Sequence, residues 1–366
     1  MREERERIIE RNQKDFSDFY SELTFVDAKQ ALEASKERDQ HIEFLKKNAQ
    51  WGFNRTKVNC SGLSRGCQLC GAGSWSCLFI NNTCNANCFY CPTSQDEVSE
   101  PTTQTLSFPD VEDYIEYIRK FNFKGLSISG GEPFLTFEKS LHFIKRIREE
   151  FGDEIYLWIY TNGILVDSDK LTKLKEAGLN EIRFDIGATG YKTDKVKLAC
   201  KIIDTVTVEI PAVPEEFERL KQLMVHLSNI GVKHLNLHQI RCTPHNYRKL
   251  AKKGYTFLHG PRITVLESEL TALKLVRYGI ENKIPLPVNY CSFIYKHRYQ
   301  KLAARKKFAP FITETFEDIT ETGMIRRLYI KGEQINIFKV LKHFKDRNIP
   351  EQDYQLKGDN DTIYLR

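Results

Sequence analysis

The chain has 366 residues, of which 41% are hydrophobic and 11% aromatic, so it can bury a sizeable core without disulfides or other staples. Its formal net charge of +6 is a mild basicity that selects neither a nucleic acid nor an acidic protein as its partner. The densely charged start excludes a signal peptide, and no apolar run is long enough to cross a bilayer. We therefore expect a cytoplasmic protein.

The ten cysteines are many for a cytoplasmic chain, where disulfides are disfavoured and clustered thiols indicate metal or redox chemistry. Seven of them crowd one short stretch, as Cys60, Cys67, Cys70, Cys77, Cys84, Cys88 and Cys91. The other three, Cys200, Cys242 and Cys291, are scattered. This distribution predicts metal or redox chemistry in the crowded stretch.

In chain order, the pattern first predicts a helical cap over residues 1–51, where apolar residues recur at helical spacing. A Cys-rich segment follows over residues 52–77, with glycines that suit tight loops around a metal. Residues 78–245 form the predicted core. Residues 246–366 are predicted to be a small α+β extension that serves a substrate or a partner.

Short apolar runs in the core alternate with amphipathic stretches. The runs begin at Cys77, Gly125, Ile155, Glu181, Val206 and His234. Six strand–helix units in a row predict an α/β fold with parallel strands covered by helices. The pattern alone leaves open whether the sheet is doubly wound or closes into a full or partial barrel.

A cysteine triplet follows the first predicted strand. Cys84, Cys88 and Cys91 have the spacing C-x3-C-x2-C, and three thiolates in one loop can hold three corners of an iron–sulfur cube. One iron then keeps an open coordination site for chemistry. The alternative is a structural zinc site, which needs four closed ligands and would take Cys77 as its fourth.

Two further loops extend the pattern. The motif SGGEP covers residues 129–133 after the second strand, and YTNG covers residues 160–163 after the third. With the cysteine triplet, these motifs resemble the radical S-adenosylmethionine (SAM) superfamily over roughly residues 76–240. The resemblance implies a partial (β/α)6 TIM-like barrel, with the N-terminal helical cap and C-terminal extension appended, and an active site at the C-terminal ends of the strands.

The resemblance also implies the cofactors and their ligands. A [4Fe-4S] cluster held by the triplet would bind SAM at its open iron and cleave it reductively to a 5′-deoxyadenosyl radical, which abstracts a substrate hydrogen. The SAM contacts carried over are Tyr90 near the adenine, Gly130, Gly131 and Glu132 at the amino group, and Thr161 and Asn162 at the ribose or carboxylate. Arg183 on strand four either pairs with the SAM carboxylate or forms an ion pair outside the barrel. The segment 209–214 departs from the glycine-containing stretch that often contacts adenine in this family.

The remaining crowded cysteines predict a second site. Cys60, Cys67, Cys70 and Cys77 have the spacing C-x6-C-x2-C-x6-C, which suits zinc or a second [4Fe-4S] cluster. The spacing matches no zinc ribbon, which favours iron–sulfur. An extended chain from Cys77 to Cys84 spans roughly 20 Å, so the two sites are expected at opposite ends of the strand, with the second structural or relaying electrons.

The substrate side is less defined. Cys242 and Cys291 are candidate catalytic thiols that could quench a substrate radical. We expect a small-molecule or peptide substrate and a flavodoxin- or ferredoxin-type electron donor, and no nucleic acid. One alternative is an activase that installs a glycyl radical on a partner protein. Another is a non-catalytic metal-binding module, which has no need of the SAM loops. Modification of tRNA rests on the mild basicity alone.

Overall fold

A computed structural model describes residues 2–59, 62–358 and 360–366. The chain divides into two compact units, Met1–Tyr299 and Gln300–Arg366. Nowhere in the described ranges is a helix both long enough and apolar enough to span a membrane.

The first unit is a mixed α/β body. Its strands are β1 (Gln50–Gly52), β2 (Lys57–Asn59), β3 (Trp75–Phe79), β4 (Thr102–Thr103), β5 (Leu106–Ser107), β6 (Gly125–Ser129), β7 (Tyr156–Thr161), β8 (Glu181–Phe184), β9 (Thr205–Pro211), β10 (His234–His238), β11 (Phe257–Leu258), β12 (Thr264–Val265) and β13 (Val288–Cys291). Its helices are α1 (Arg2–Phe16), α2 (Ala28–Asn48), α3 (Arg65–Gly71), α4 (Val111–Phe121), α5 (Phe137–Phe151), α6 (Ser168–Glu176), α7 (Asp194–Ala199), α8 (Phe217–Asn229), α9 (Tyr247–Ala251), α10 (Leu266–Glu281) and α11 (Phe293–Tyr295).

One large sheet organises this unit, in the order β1-β2-β13-β10-β9-β8-β7-β6-β3-β4-β5. Strands β3, β6, β7, β8, β9 and β10 correspond to the six predicted runs, and each is parallel to its neighbour. β13 continues the parallel set beside β10, while the short outer strands are antiparallel. The predicted α/β class is confirmed, because the strands alternate with helices as in a parallel barrel-type sheet.

The core lies where strands and amphipathic helices meet. Ile159, Val208 and Leu237 on three central strands are fully buried, as expected for apolar residues on strands covered by helices.

Helix α2, the second helix of the chain, begins at a capping box. The Asp27 carboxylate accepts from Gln30 N at 2.7 Å, and the Gln30 side chain accepts from Asp27 N at 3.1 Å. Helix α2 contacts α10.

Helix α3 lies against the face of the sheet that carries the side chains of Glu181 and Arg183, and we call this the inner face. It contacts β3, β6 and β7. A Cβ on Gly66 would stand 2.3 Å from the Arg183 guanidinium, and a Cβ on Gly125 would stand 2.9 Å from Leu69. Because Gly125 begins β6, α3 covers the N-terminal end of the inner face.

The second unit is a small α+β structure. It contains α12 (Lys301–Phe308), β14 (Glu317–Ile319), β15 (Ile325–Lys331), α13 (Gln334–Asp346), β16 (Tyr354–Lys357) and β17 (Thr362–Leu365). The strands form an antiparallel sheet in the order β14-β15-β17-β16. Ile337 of α13 and Ile363 of β17 are buried, and the Phe316 and Tyr364 rings stack at 4.6 Å.

Candidate functional site

The loops after β6 and β7 are joined by one buried carboxylate. Glu132, 1% exposed, accepts a hydrogen bond from the Thr161 hydroxyl at 2.9 Å and another from the Asn162 backbone N–H at 2.6 Å. Its own loop donates a third, from Phe134 N at 3.0 Å. Burial raises the pKa of Glu132, while these donors oppose the rise. The carboxylate therefore fixes the SGGEP and YTNG loops relative to each other.

The cluster loop is tied to the same group of residues. The Asn162 amide donates to Asn85 Oδ1 at 2.7 Å, and it lies 3.7 Å from the sulfur of Cys84. The side-chain oxygen Oδ1 of Asn162 in turn accepts from Ile164 N at 3.0 Å. All three predicted motifs therefore meet at the C-terminal ends of β3, β6 and β7.

The two glycines of the SGGEP loop are required by a close backbone contact. Gly130 has a φ of +128°, and a Cβ there would stand 2.3 Å from the Asn81 carbonyl oxygen. A Cβ on Gly131 would stand 1.8 Å from the Thr83 carbonyl oxygen. The loop thus passes directly against the chain that leads from β3 into the cysteine triplet. These contacts account for both glycines without SAM, whose predicted contact with them stays a prediction.

The three triplet cysteines are partly exposed on one loop. Cys84 Sγ accepts from Ala86 N at 3.4 Å, and the Cys91 thiol donates to the Thr93 carbonyl at 3.3 Å. Burial raises the pKa of Cys88 to about 11, and the nearby Asp185 adds to the rise. Within the described ranges, no three Cys, His, Asp or Glu side chains already stand at metal-ligand spacing. The donor set itself, three thiols with no carboxylate or imidazole among them, fits an iron–sulfur cluster.

Tyr90 lies between the cluster loop and the end of β8. Its hydroxyl donates to Asp185 Oδ1 at 2.9 Å, and Gly187 N donates to the same oxygen at 3.1 Å. The backbone of the cluster loop is also held by two residues that follow β10. Asn246 donates to the Tyr90 carbonyl at 3.1 Å, and the Thr243 hydroxyl donates to the Pro92 carbonyl at 2.9 Å.

Arg183 forms a buried ion pair on the inner face. Its Nε and one terminal nitrogen donate to Glu181 at 2.9 and 3.2 Å, and the other terminal nitrogen donates to Glu209 at 2.9 Å. The Ser64 and Tyr160 hydroxyls receive the remaining contacts, at 3.1 and 3.2 Å. The five guanidinium donors are thus committed to protein partners and the side chain is 3% exposed. We therefore assign Arg183 to this network instead of the predicted SAM carboxylate, and the pair lies among the strands instead of outside the barrel.

The network continues to the C-terminal end of the inner face. His238 Nε2 lies 2.7 Å from Glu209 Oε1, and its Nδ1 lies 2.9 Å from Lys296 Nζ. Burial and Lys296 favour the neutral form of His238, but Glu209 and Cys291 outweigh them and raise the pKa of His238. Arg183, Glu209, His238 and Lys296 therefore form one continuous polar chain.

Cys291, a predicted catalytic thiol, adjoins this chain. It ends β13 beside His238, and the Lys57 ammonium lies 3.8 Å from its sulfur. Burial alone would raise its pKa, but Lys57, Lys296 and His238 outweigh burial and lower the pKa to about 6. Cys291 is therefore a buried thiolate above this pH.

Cys242, the other predicted thiol, has a different environment. It is 2% exposed within an apolar cluster that includes Ile240 and Tyr247. Burial raises its pKa to about 12, so it stays protonated. A structural role fits this position better than the predicted catalytic one.

The second predicted cysteine set is divided. Cys60 lies outside the described residues. Cys67 accepts from the Asn236 amide at 3.4 Å, and the electrostatic neighbours of Cys70 include Lys57 and Cys291. Cys77 instead hydrogen-bonds the side chains of two serines on β6, and burial raises its pKa to about 11. The described members therefore do not form one ligand set in this structure.

Several residues of the site were missed by the sequence analysis. Glu132 was identified only as a SAM contact, and Glu209 only as part of a departure from the family pattern. Lys57 and Lys296 were not identified at all. The sequence did contain a usable signal for Glu209. Together with Glu181 and Arg183, it places charge at inward positions of otherwise apolar strands, where charged residues need partners.

Comparison with known proteins agrees with this architecture. The family model described as the radical SAM superfamily matches residues 78–203. A Methanocaldococcus jannaschii protein, provisionally named a glycyl-radical enzyme activating enzyme, is 32% identical over 299 residues, covering 78% of this chain and 76% of its own length. A GTP 3′,8-cyclase of Campylobacter jejuni is 29% identical over 159 residues, which cover 43% of this chain and only 47% of the cyclase.

Solved structures include more distant neighbours. The HydG maturase of the [FeFe]-hydrogenase aligns with a TM-score of 0.42 and 14% identity, covering 70% of this chain and 65% of its own. Methylornithine synthase (PylB) aligns with a TM-score of 0.40 and 12% identity, covering 75% and 76%.

The chain is thus an α/β protein with a mostly parallel sheet and a three-thiol loop beyond its first parallel strand. Within that class, the chain belongs to the radical SAM superfamily. It is a radical SAM enzyme whose cofactors are a [4Fe-4S] cluster and SAM.

The site predicts a pH effect on stability. Burial raises the pKa of Asp185 from 3.8 to about 6. The folded state then binds this proton more tightly than the unfolded state, so the contribution of Asp185 to the free energy of unfolding falls as pH rises between about 4 and 6. Asp185→Asn cannot titrate. We expect the Tm of the wild type minus that of this variant to fall from pH 4 to pH 7, measured by thermal unfolding of the metal-free chain.

Asp113→Asn, at an exposed position of α4, is the matched control. Any slope in its Tm difference from the wild type gives the baseline for an exposed Asp→Asn change, and the fall for Asp185→Asn should exceed that baseline. Parallel pH profiles for the wild type and Asp185→Asn would contradict a raised pKa at Asp185.

Proposed function

We propose that Cys84, Cys88 and Cys91 hold the [4Fe-4S] cluster, and that SAM binds beside it against the SGGEP and YTNG loops. The observation that carries this proposal is the Glu132 carboxylate, which joins those two loops, while Asn162 joins them to the cluster loop. Three loops from separate strands are thereby held in one place before any cofactor binds. A non-catalytic metal module would not need this arrangement.

When bound, the reduced cluster supplies the electron that cleaves SAM, and the adenosyl fragment takes a hydrogen atom from the substrate. The protein itself positions these cofactors and shields them from water. Glu132 holds the SGGEP and YTNG loops together by accepting hydrogen bonds from both, and Asn162 places an amide N–H beside Cys84. Tyr90 and Asp185 fix the end of the cluster loop against β8.

The substrate is proposed to be a small molecule or a peptide that enters at the C-terminal end of the inner face. His238, Lys296 and Cys291 support a polar substrate there, since they place imidazole, ammonium and thiolate groups at the ends of β10 and β13. Of the two predicted thiols, Cys291 adjoins this polar end of the inner face, whereas Cys242 lies in an apolar cluster. The electron donor is proposed to be a flavodoxin or ferredoxin, and the many free thiols support a reducing compartment such as the cytoplasm.

The ligand assignment is tested by replacing Cys84, Cys88 and Cys91 together with Ala. The variant should lose about four irons per chain after anaerobic reconstitution and should form no 5′-deoxyadenosine on reduction with dithionite, because the cluster has no remaining thiolates. Iron analysis and chromatography of the nucleoside products measure both effects.

Cys200→Ala is the matched control, since Cys200 is a partly exposed thiol after α7, away from the three motifs. It should keep full iron and full cleavage. Continued formation of 5′-deoxyadenosine by the triple variant would refute the assignment.

The second cysteine set is tested in the same triple variant. We propose that Cys60, Cys67, Cys70 and Cys77 hold a metal of their own, around which the described thiols would have to gather, since no three of them stand at metal-ligand spacing. This metal should remain bound when the first site is removed. Elemental analysis showing iron would support a relay role, and zinc alone a structural one. Detection of neither iron nor zinc would rule out the second site.

A second candidate function is activation of a glycyl-radical enzyme. The M. jannaschii relative that covers 78% of this chain carries that provisional name. In this reaction the hydrogen atom would move from the Cα of a partner's glycine to the adenosyl fragment, which leaves the radical on the partner protein.

Deuterium distinguishes the two candidates. The producing cells are grown on α-deuterated glycine, and their extract is separated into a protein fraction and a small-molecule filtrate. Each fraction is given to the reduced enzyme with SAM, and 5′-deoxyadenosine is analysed by mass spectrometry. Deuterium taken only from the protein fraction would support the activase. Turnover that depends on the filtrate, without deuterium from protein, would support a small-molecule substrate.

A further inference from the structure

A cavity of about 230 Å³ lies between the N-terminal helix α1 and the loop that follows β10. Asp15 and Phe16 of α1 line one side. Arg241, Cys242 and Arg262 line the other, where Cys242 N donates to the carbonyl of Ile263 at 2.9 Å. The cavity belongs to neither the three motif loops nor the inner-face network.

The charge lining this cavity is unbalanced. Arg241 and Arg262 contribute two guanidinium groups, whereas Asp15 contributes one carboxylate, which pairs with Arg262 at 2.8 Å. The Nε of Arg241 is buried and has no hydrogen-bond partner among the described residues. Burial and the nearby Arg262 lower the pKa of Arg241. A buried donor without an acceptor is costly, so Arg241 is held in the wall of this cavity with one of its guanidinium donors unused.

We propose that this cavity is a binding site for a small oxyanion, the phosphate or carboxylate group of a small molecule, held by Arg241 with Arg262. Guanidinium groups match both kinds of oxyanion because their N–H donors lie in a planar fork. The volume exceeds that of a few water molecules, so the site has room for a small organic anion as well as for its charged group.

The wall of this cavity continues into the cluster loop. Thr243, next to Cys242, donates to the Pro92 carbonyl, and Asn246 holds the Tyr90 carbonyl. A ligand on Arg241 would therefore bind two residues away from a segment that positions the backbone on either side of Cys91.

The test is a titration of the full chain with inorganic phosphate and, separately, with succinate, at constant ionic strength set by chloride. Isothermal calorimetry gives the affinity. The wild type should bind at least one of the two saturably, and Arg241→Gln should weaken that binding by about tenfold or more, because it removes charged donors. Phosphate-only binding would identify a phosphorylated ligand, and succinate-only binding a carboxylate.

Asp15→Asn makes the opposite prediction. It removes the carboxylate that competes for Arg262, so it should strengthen oxyanion binding, whereas general damage to the fold would weaken it. Arg219→Gln, which removes an exposed charge on α8, controls for net charge and should bind as the wild type does. No saturable binding by the wild type, or unchanged binding by Arg241→Gln, would show a cavity that holds water only. The titration needs neither cluster nor SAM, so its failure is separate from failure of the proposed function.

Discussion

The site depends on one buried carboxylate. Glu132 is almost completely shielded from water, and ionised burial is costly unless the charge is well hydrogen-bonded. The charge-assisted bonds it receives from Thr161 and Asn162 meet that need, and both donors come from the loop after the neighbouring strand. Removing the carboxylate would therefore leave unpaired donors on a second loop as well as its own. The hydrogen bonds that offset the cost of burying Glu132 are therefore the same bonds that join the two loops.

The inner face follows a similar logic over a longer distance. Glu181 and Glu209 flank the Arg183 guanidinium, and Glu209 passes the hydrogen-bonded chain to His238. Buried ion pairs of this kind contribute little net stability, but breaking one leaves a buried charge without a partner. The arrangement is therefore well suited to holding these side chains in fixed positions on the inner face. It also explains why Arg183 has no donor left for a cofactor.

Much of the fold could be predicted because its signals are local. Six apolar runs separated by amphipathic stretches become β3 and β6 to β10, and motifs at the strand ends meet because parallel strands end at the same edge. The partners of individual side chains are not local. Arg183 contacts Ser64, 119 residues earlier in the chain, and Lys57 lies beside Cys291, 234 residues later. No periodicity in the sequence encodes such pairs, so the loops were predicted and the network was not.

The two candidate thiols show why this distinction matters for chemistry. Cys242 and Cys291 are both buried, and burial raises the pKa of either thiol. Only Cys291 has two ammonium groups and an imidazole around it, and these lower its pKa to about 6, whereas that of Cys242 rises to about 12. A thiolate carries no S–H hydrogen to give to a substrate radical, so the same charges that make Cys291 reactive as a nucleophile oppose the quenching role predicted from its position. The protonation state of Cys291, and with it the chemistry open to this residue, is therefore set by Lys57, Lys296 and His238, which the fold brings to it from three separate elements.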